Sequence, residues 1–375
     1  MKFFHLSDLH LGKRVNEFSM LEDQRHILGE ILRLAGEHRP DAVLVCGDVY
    51  DKPVPGVEAV KLLDWFLQSL HDLGTAVLVI AGNHDSAERV AFAAPLLRQS
   101  RVHIAQAYEG ATEPLTLTDE HGDVRVWMLP FLRPSAVREY FPEREVACTR
   151  DALEAALTAM TVDPRERNVL MSHQFVTGAS LSESEEISVG GLENVEAALY
   201  EAFDYVALGH IHGPQDVARD TLRYCGTPLK YSFSEARHRK SVTCVEMREK
   251  GDVRIESFPL TPLRDMREVR GTFREICGRG VRLTDDYVRV ILTDEQDEPG
   301  AVARLREVYP NLMRLEYDNA RTRAAGVVPE ASGLDFKSPR DLFAELYQIQ
   351  NGQEMGAAQE EYVRALFDSI REGEA

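Results

Sequence analysis

Five short motifs in this chain carry side chains able to hold metal ions. They are Asp8-Leu9-His10, Gly47-Asp48, Gly82-Asn83-His84-Asp85, Ser172-His173-Gln174 and Gly209-His210-Ile211-His212. Five of the twelve histidines lie in them. The donor set is carboxylate, imidazole and one amide oxygen, with no sulfur. Mixed nitrogen and oxygen donors favour octahedral manganese, iron or a similar ion over a structural zinc. In D-x-H and H-x-H, alternate side chains share one side of an extended backbone. Glycines before Asp48, Asn83 and His210 let the chain turn sharply. Taken singly, each motif has a plain reading: G-D and G-N are common turn dipeptides, and a histidine after a strand is often only a surface or satisfied group. Together, the order D-x-H, G-D, G-N-H-D, H, G-H-x-H is a poor candidate for chance, and it points to a metal site.

The elements that must position these residues are visible around them. KFFHL (2–6), AVLVC (42–46), AVLVI (76–80), NVLMS (168–172) and DYVAL (204–208) are short apolar runs, and each ends at one of the motifs. Such runs suit strands buried on both faces. Helical stripes at 20–38 and 57–73 separate the first three, which implies a parallel sheet with helices packed on it. A third helix is expected over 88–99. In such sheets ligands bind beyond the carboxyl ends of the strands, so adjacent strands would bring all five motifs into one crevice. A hairpin is expected over 114–129, and further strands at LRYC (222–225), SVTCVEM (241–247) and DVRIESF (252–258).

The motif order is the signature of the calcineurin-like metallophosphoesterases, which residues 1 to about 260 resemble. That likeness implies a two-sheet sandwich flanked by helices, of α/β class, and two divalent ions. Asp8, His10, Asp48 and His212 would hold one ion. Asp48, Asn83, His173 and His210 would hold the other, with Asp48 shared. His84 would stand beside them as the acid for the leaving oxygen. Beyond the ligands, GDVYDKPVPGVEAV (47–60), MSHQFVTGASLSESEEISVGGLENV (171–195), FDYVALGHIHGPQDV (203–217) and YCGTPLKYSFSEARHRKSVT (224–243) resemble the SbcD family, nuclease subunits of SbcCD complexes. Where archaeal and eukaryotic relatives place a histidine after the G-D block, this chain has Tyr50-Asp51. The resemblance implies 3′-to-5′ exonuclease action on duplex DNA and cutting at hairpins and blocked ends, with manganese as the expected ion. It also implies an SbcC-type, SMC-like coiled-coil ATPase partner and a homodimer within a heterotetramer, serving replication, recombination and repair. No Walker sequence is present, so no nucleotide site is expected here.

The rest of the chain fits that division of labour. Residues 1–260 form the expected nuclease domain. Residues 261–325 form a small α+β cap that the resemblance places on DNA, 326–337 a linker, and 338–375 helices for the ATPase. Leu342, Phe343, Leu346, Val363, Leu366 and Phe367 mark the apolar stripes of those last helices. Residues 341–375 carry eight Asp/Glu against two Arg, so this segment repels DNA. The stripes either pack back on the main domain or dock in a partner groove. Arg237, Arg239 and Lys240 belong to a basic run that is either a DNA-backbone contact or a solvated turn. Phe66, Phe92, Leu96 and Leu97 are mostly explained by core packing, and the family likeness makes some of them dimer contacts.

Composition sets the outer limits. The chain has 375 residues and a formal net charge of −19, which excludes passive coating of nucleic acid but not an enzyme with a local cationic site. Five scattered cysteines without C-x-x-C suit a reducing cytoplasm. No apolar run is long enough to span a bilayer, and the charged start does not read as an export signal. Two rivals stay open: a phosphomonoesterase or small-molecule phosphodiesterase on the same fold, and a scaffold that has lost catalysis.

Overall fold

The computed structural model describes residues 1–182, 194–278, 283–320, 322, 343–348 and 354–372. The chain divides into two compact units, Met1–Glu316 and Tyr317–Ala375. The expected linker, 326–337, lies outside the described residues.

The strands are β1 (Lys2–Leu6), β2 (Arg14–Val15), β3 (Phe18–Ser19), β4 (Ala42–Cys46), β5 (Ala76–Ile80), β6 (Val102–Ile104), β7 (Leu115–Asp119), β8 (Gly122–Met128), β9 (Arg167–His173), β10 (Tyr205–Gly209), β11 (Gln215–Val217), β12 (Arg219–Tyr224), β13 (Ser241–Met247), β14 (Val253–Pro259), β15 (Met266–Gly271), β16 (Tyr287–Leu292) and β17 (Leu312–Tyr317). Two six-stranded sheets result, ordered β14-β13-β1-β4-β5-β6 and β11-β12-β10-β9-β8-β7. Their central strands run parallel; antiparallel strands form both edges of the second sheet and the β14-β13 edge of the first, whose other edge, β6, is parallel. The architecture is the mixed α/β sandwich expected of calcineurin-like phosphoesterases.

Period-2 alternation sorts the apolar side chains into layers. Phe3, Leu44, Leu78, Val126, Val169 and Ala207 fill the space between the sheets. Phe4, Val43, Val45 and Val77 point the other way, onto helices α1 (Leu21–His38) and α2 (Val57–Asp72). Leu170, Val206 and Leu208 pack with Ala152, Leu153 and Ala156 of helix Thr149–Ala159. Both faces of each sheet are therefore covered, which is why the strands read as unbroken apolar runs.

One expected helix is not continuous. Residues 88–99 form two four-residue helices, Ala87–Val90 and Ala94–Leu97. Ala93 between them is left-handed, at φ 59°, and Pro95 at the start of the second lacks the N–H that a continuing helix needs. Phe66 is also corrected: it lies fully buried in the core beside α1, so it has no surface to give a dimer partner. Leu97 is partly buried against the same core. Phe92 and Leu96 project into solvent, 81% and 73% exposed.

Strands β15, β16 and β17 form a separate three-stranded sheet with helices Phe273–Ile276 and Ala301–Val308. In the second unit, residues 343–348 are helical, as is Ala357–Glu372. Gln359 donates to the Tyr347 hydroxyl at 3.0 Å, tying the two helices together. Val363 is buried, whereas Phe343, Leu346 and Leu366 are exposed. Leu342 and the side chain of Phe367 lie outside the described residues. Among the described residues, no helix is long and apolar enough to cross a membrane.

Candidate metal centre

The loops leaving β1 and β4 are laced together by their backbones. Asp8 N–H donates to Gly47 O at 3.0 Å, His10 N–H to Asp48 O at 2.9 Å, and Leu11 N–H to Val49 O at 2.9 Å. This lacing holds Asp8, His10 and Asp48 in left-handed conformations, at φ 52°, 43° and 48°. His210 after β10 is also at positive φ, 99°. Such backbone costs about 1–3 kcal/mol per residue and persists only where the surroundings enforce it.

Close approach explains two of the glycines. A Cβ on Gly209 would fall 1.9 Å from Cys46 O, and one on Gly82 would fall 2.1 Å from Asp48 Oδ1. Nothing larger than glycine lets these strand ends converge.

The seven expected ligands and His84 meet in one crevice. His10 Nε2 lies 3.2 Å from His212 Nε2. Asn83 Oδ1 lies 3.0 Å from His173 Nε2 and 3.1 Å from His210 Nδ1. Asp48 Oδ2 is 3.7 Å from His10, 3.5 Å from His173 and 3.9 Å from His84 Nε2. Donor atoms of Asp8, His10 and His212 lie within 4.8 Å of one another, as do those of Asp8, Asp48 and His173, and those of His10, Asp48 and His84. Asp8, His10, Asp48, His173, His210 and His212 are buried, while Asn83 and His84 sit half-buried at the opening.

The protons show why these groups suit cations. His173 Nδ1 donates to Cys46 O at 2.8 Å, and its Nε2 faces the oxygens of Asn83 and Asp48. Two acceptors facing a lone pair require a positive charge between them. Without an ion a proton takes that place: burial alone would lower His173, but the Asp48 carboxylate outweighs it and lifts the imidazole to about 9. His212 has the same polarity, with Nδ1 3.3 Å from Glu235 Oε1, which turns its Nε2 lone pair toward His10. Burial pushes His10 well below its ordinary value and, with His173 adding to it, brings His210 to about 3. Both are neutral imidazoles with electron pairs to share. His10 Nδ1 has no hydrogen-bond partner among the described residues. Burial opposes charge on Asp48, yet the surrounding imidazoles hold it below the usual carboxylate range. The donor set thus fits divalent ions at both ends of the crevice.

A supporting layer, of which only Asp85 lies in one of the five motifs, orients these groups. Asp85 accepts from the N–H groups of Val49, Tyr50 and Gly82 at 3.0, 2.9 and 2.9 Å, holding two ligand loops together. Gln24 on α1 donates to His10 O at 2.8 Å and to the Tyr231 hydroxyl at 3.0 Å. Glu235 lies between His212 and Lys240, 2.5 Å from the ammonium. Burial works against its charge, but the Lys240 ammonium and the hydrogen bond from His212 hold it well below the ordinary carboxylate range.

Lys240 is therefore corrected as a DNA contact. It is buried, donating to Glu235, Thr227 and His212 O, and braces the crevice from behind. Arg237 and Arg239 remain exposed.

A family model described as calcineurin-like phosphoesterase matches residues 1–214, and one described as type 5 capsule protein repressor C-terminal domain matches 262–351. The SbcD component of the SbcCD nuclease from Staphylococcus epidermidis is 28% identical over 387 residues, covering 100% of both chains. A dimetal phosphatase from Danio rerio matches with a TM-score of 0.40 at 11% identity, over 70% of this chain and 99% of that one. A likeness that loose adds nothing to the assignment.

Proposed function

Because this chain belongs to the calcineurin-like phosphoesterase family, we propose that the crevice holds two divalent ions and hydrolyses phosphodiester bonds of DNA. Asp8, His10, Asp48 and His212 hold one ion; Asp48, Asn83, His173 and His210 hold the other. The carrying observation is Asn83 Oδ1 seated between His173 Nε2 and His210 Nδ1, with Asp48 reaching both groups of donors. Manganese is the expected metal.

When bound, such a pair of ions polarises the phosphoryl group and lowers the pKa of water. The residues of the chain do the rest. Glu235 and Cys46 O fix the ring orientations of His212 and His173. His84 N–H donates to Asp48 Oδ1 at 2.9 Å, keeping that shared carboxylate in place. The His84 Nδ1 donates to Asp51 O at 3.3 Å, so as an imidazolium it carries its second N–H on Nε2, facing the crevice. That proton goes to the departing ribose oxygen.

Full-length similarity to a protein named a nuclease subunit supports DNA as substrate, with 3′-to-5′ duplex degradation and hairpin or blocked-end cutting as the activities. An SbcC-type coiled-coil ATPase is the proposed partner. Leu346 and Leu366, 51% and 46% exposed, supply part of the docking surface, and Phe92 and Leu96 part of a homodimer contact. Replication, recombination and repair in the cytoplasm are the proposed setting.

The test is end-labelled duplex and hairpin DNA with manganese, with and without the partner. Release of nucleotides that disappears in Asp48→Ala supports the nuclease. Hydrolysis of p-nitrophenyl phosphate alone would favour a phosphomonoesterase.

A further inference from the structure

One cation at the opening of the crevice belongs to none of the five motifs. Lys13 lies in the turn after Asp8-Leu9-His10, its N–H bonded to His10 O at 3.0 Å. Its ammonium lies 2.7 Å from Asp51 Oδ1, and the side chain is 18% exposed. Asp51 belongs to the loop after β4. Its carboxylate is 3.8 Å from His10 Nδ1, and its carbonyl accepts from His84 Nδ1. The Tyr231 ring, 5.7 Å from the ammonium, lies on its other side. Lys13 is thereby held beside both a metal ligand and the proposed acid, by groups from three separate segments.

An ammonium has three N–H donors. Among the described residues Asp51 takes one, which leaves the other two for a ligand. The ion pair Lys13–Asp51 brings no net charge, and the ammonium is its cationic end. A point cation held at a site rim by a carboxylate on its inner side is suited to a phosphate oxygen.

Resting on the nuclease reading, we infer that Lys13 grips a DNA phosphate next to the one being cleaved, with Asp51 as the residue that positions it. The contact selects a polynucleotide over an isolated diester, because only a polynucleotide has a second phosphate to offer.

The experiment compares duplex DNA with bis(p-nitrophenyl) phosphate, both with manganese and full-length protein. One charge-assisted hydrogen bond corresponds to about a ten-fold change in apparent affinity. Lys13→Met is expected to raise KM for duplex about ten-fold, and to lose about ten-fold more on duplex than on the small diester. The slope of log KM against log salt should become shallower by about one phosphate contact. Lys13→Arg should restore the slope. Equal losses on both substrates, or an unchanged KM for duplex in Lys13→Met, would overturn the inference. A wild-type chain that cleaves the small diester but not DNA would instead remove the nuclease reading, and Lys13 with it.

Discussion

The crevice and the outward apolar residues of this chain are built on opposite rules. In the crevice, the ligand side chains are matched to neighbours: Asp48 to three imidazoles, His212 to Glu235, His173 to Cys46 O. Strained backbone is tolerated there because several loops enforce it together. Phe92 and Leu96, and in the second unit Leu346 and Leu366, instead offer large apolar side chains to solvent. In the proposed function, the chemistry belongs to the first group of residues and contact with other molecules to the second.

The largest effect expected from this contrast is within the crevice. Replacing a general acid costs about 10²–10⁴-fold in rate, so His84→Ala should fall that far in turnover while metal content, by elemental analysis, stays near wild type. Asp48→Ala should lose both. A metal-free His84→Ala would make His84 a ligand and undo the division of roles.

Next comes a comparison of two phenylalanines. Phe66→Ala removes a fully buried ring and should destabilise by about 3–5 kcal/mol in denaturant unfolding. Phe92→Ala should leave monomer stability within about 0.5 kcal/mol but weaken self-association in sedimentation. Equal effects on stability would mean that Phe92 is no free surface. In the second unit, Leu366→Asp should likewise leave unfolding unchanged within about 0.5 kcal/mol and abolish co-purification with a coiled-coil ATPase. Retained capture would move the docking surface elsewhere.

The smallest effect concerns acid. Asp119 on β7 is paired with buried Arg167, 2.6 Å away, and the hydrogen bonds from Arg167 hold its carboxyl far below the ordinary value near 4. A depressed folded pKa stabilises the fold above the unfolded value, and that stabilisation fades as pH falls through the folded one. The acid-unfolding curve should therefore steepen below about pH 4, and Asp119→Asn should flatten it. An identical curve in the variant would show that the pair contributes nothing to acid stability.

The expected ligands were legible because each strand ends at its motif, although those strands are divided between the two sheets, β1, β4 and β5 in one and β9 and β10 in the other. Their supports were not. Asp85 stands inside the G-N-H-D motif, but its bonds to backbone groups, like those of Gln24 and the contact of Glu235 with a single nitrogen, follow no spacing rule. Lys240 misled for a related reason. A basic run looks uniform in sequence, yet alternate residues face opposite ways, and the buried one pairs with Glu235 five residues earlier. The helix expected over 88–99 overlooked Pro95, which stands at the start of the second short helix and cannot continue the first. Phe66 and Phe92 carry the same side chain, and only packing separates a core residue from a surface one.

Two ions sharing Asp48 are the centre of the proposed chemistry. Crystals grown with manganese and measured across its absorption edge test them most directly. Two anomalous peaks are predicted, one among Asp8, His10 and His212, the other among Asn83, His173 and His210, with the Asp48 carboxylate touching both. A single peak, or peaks remote from Asp48, would contradict that arrangement.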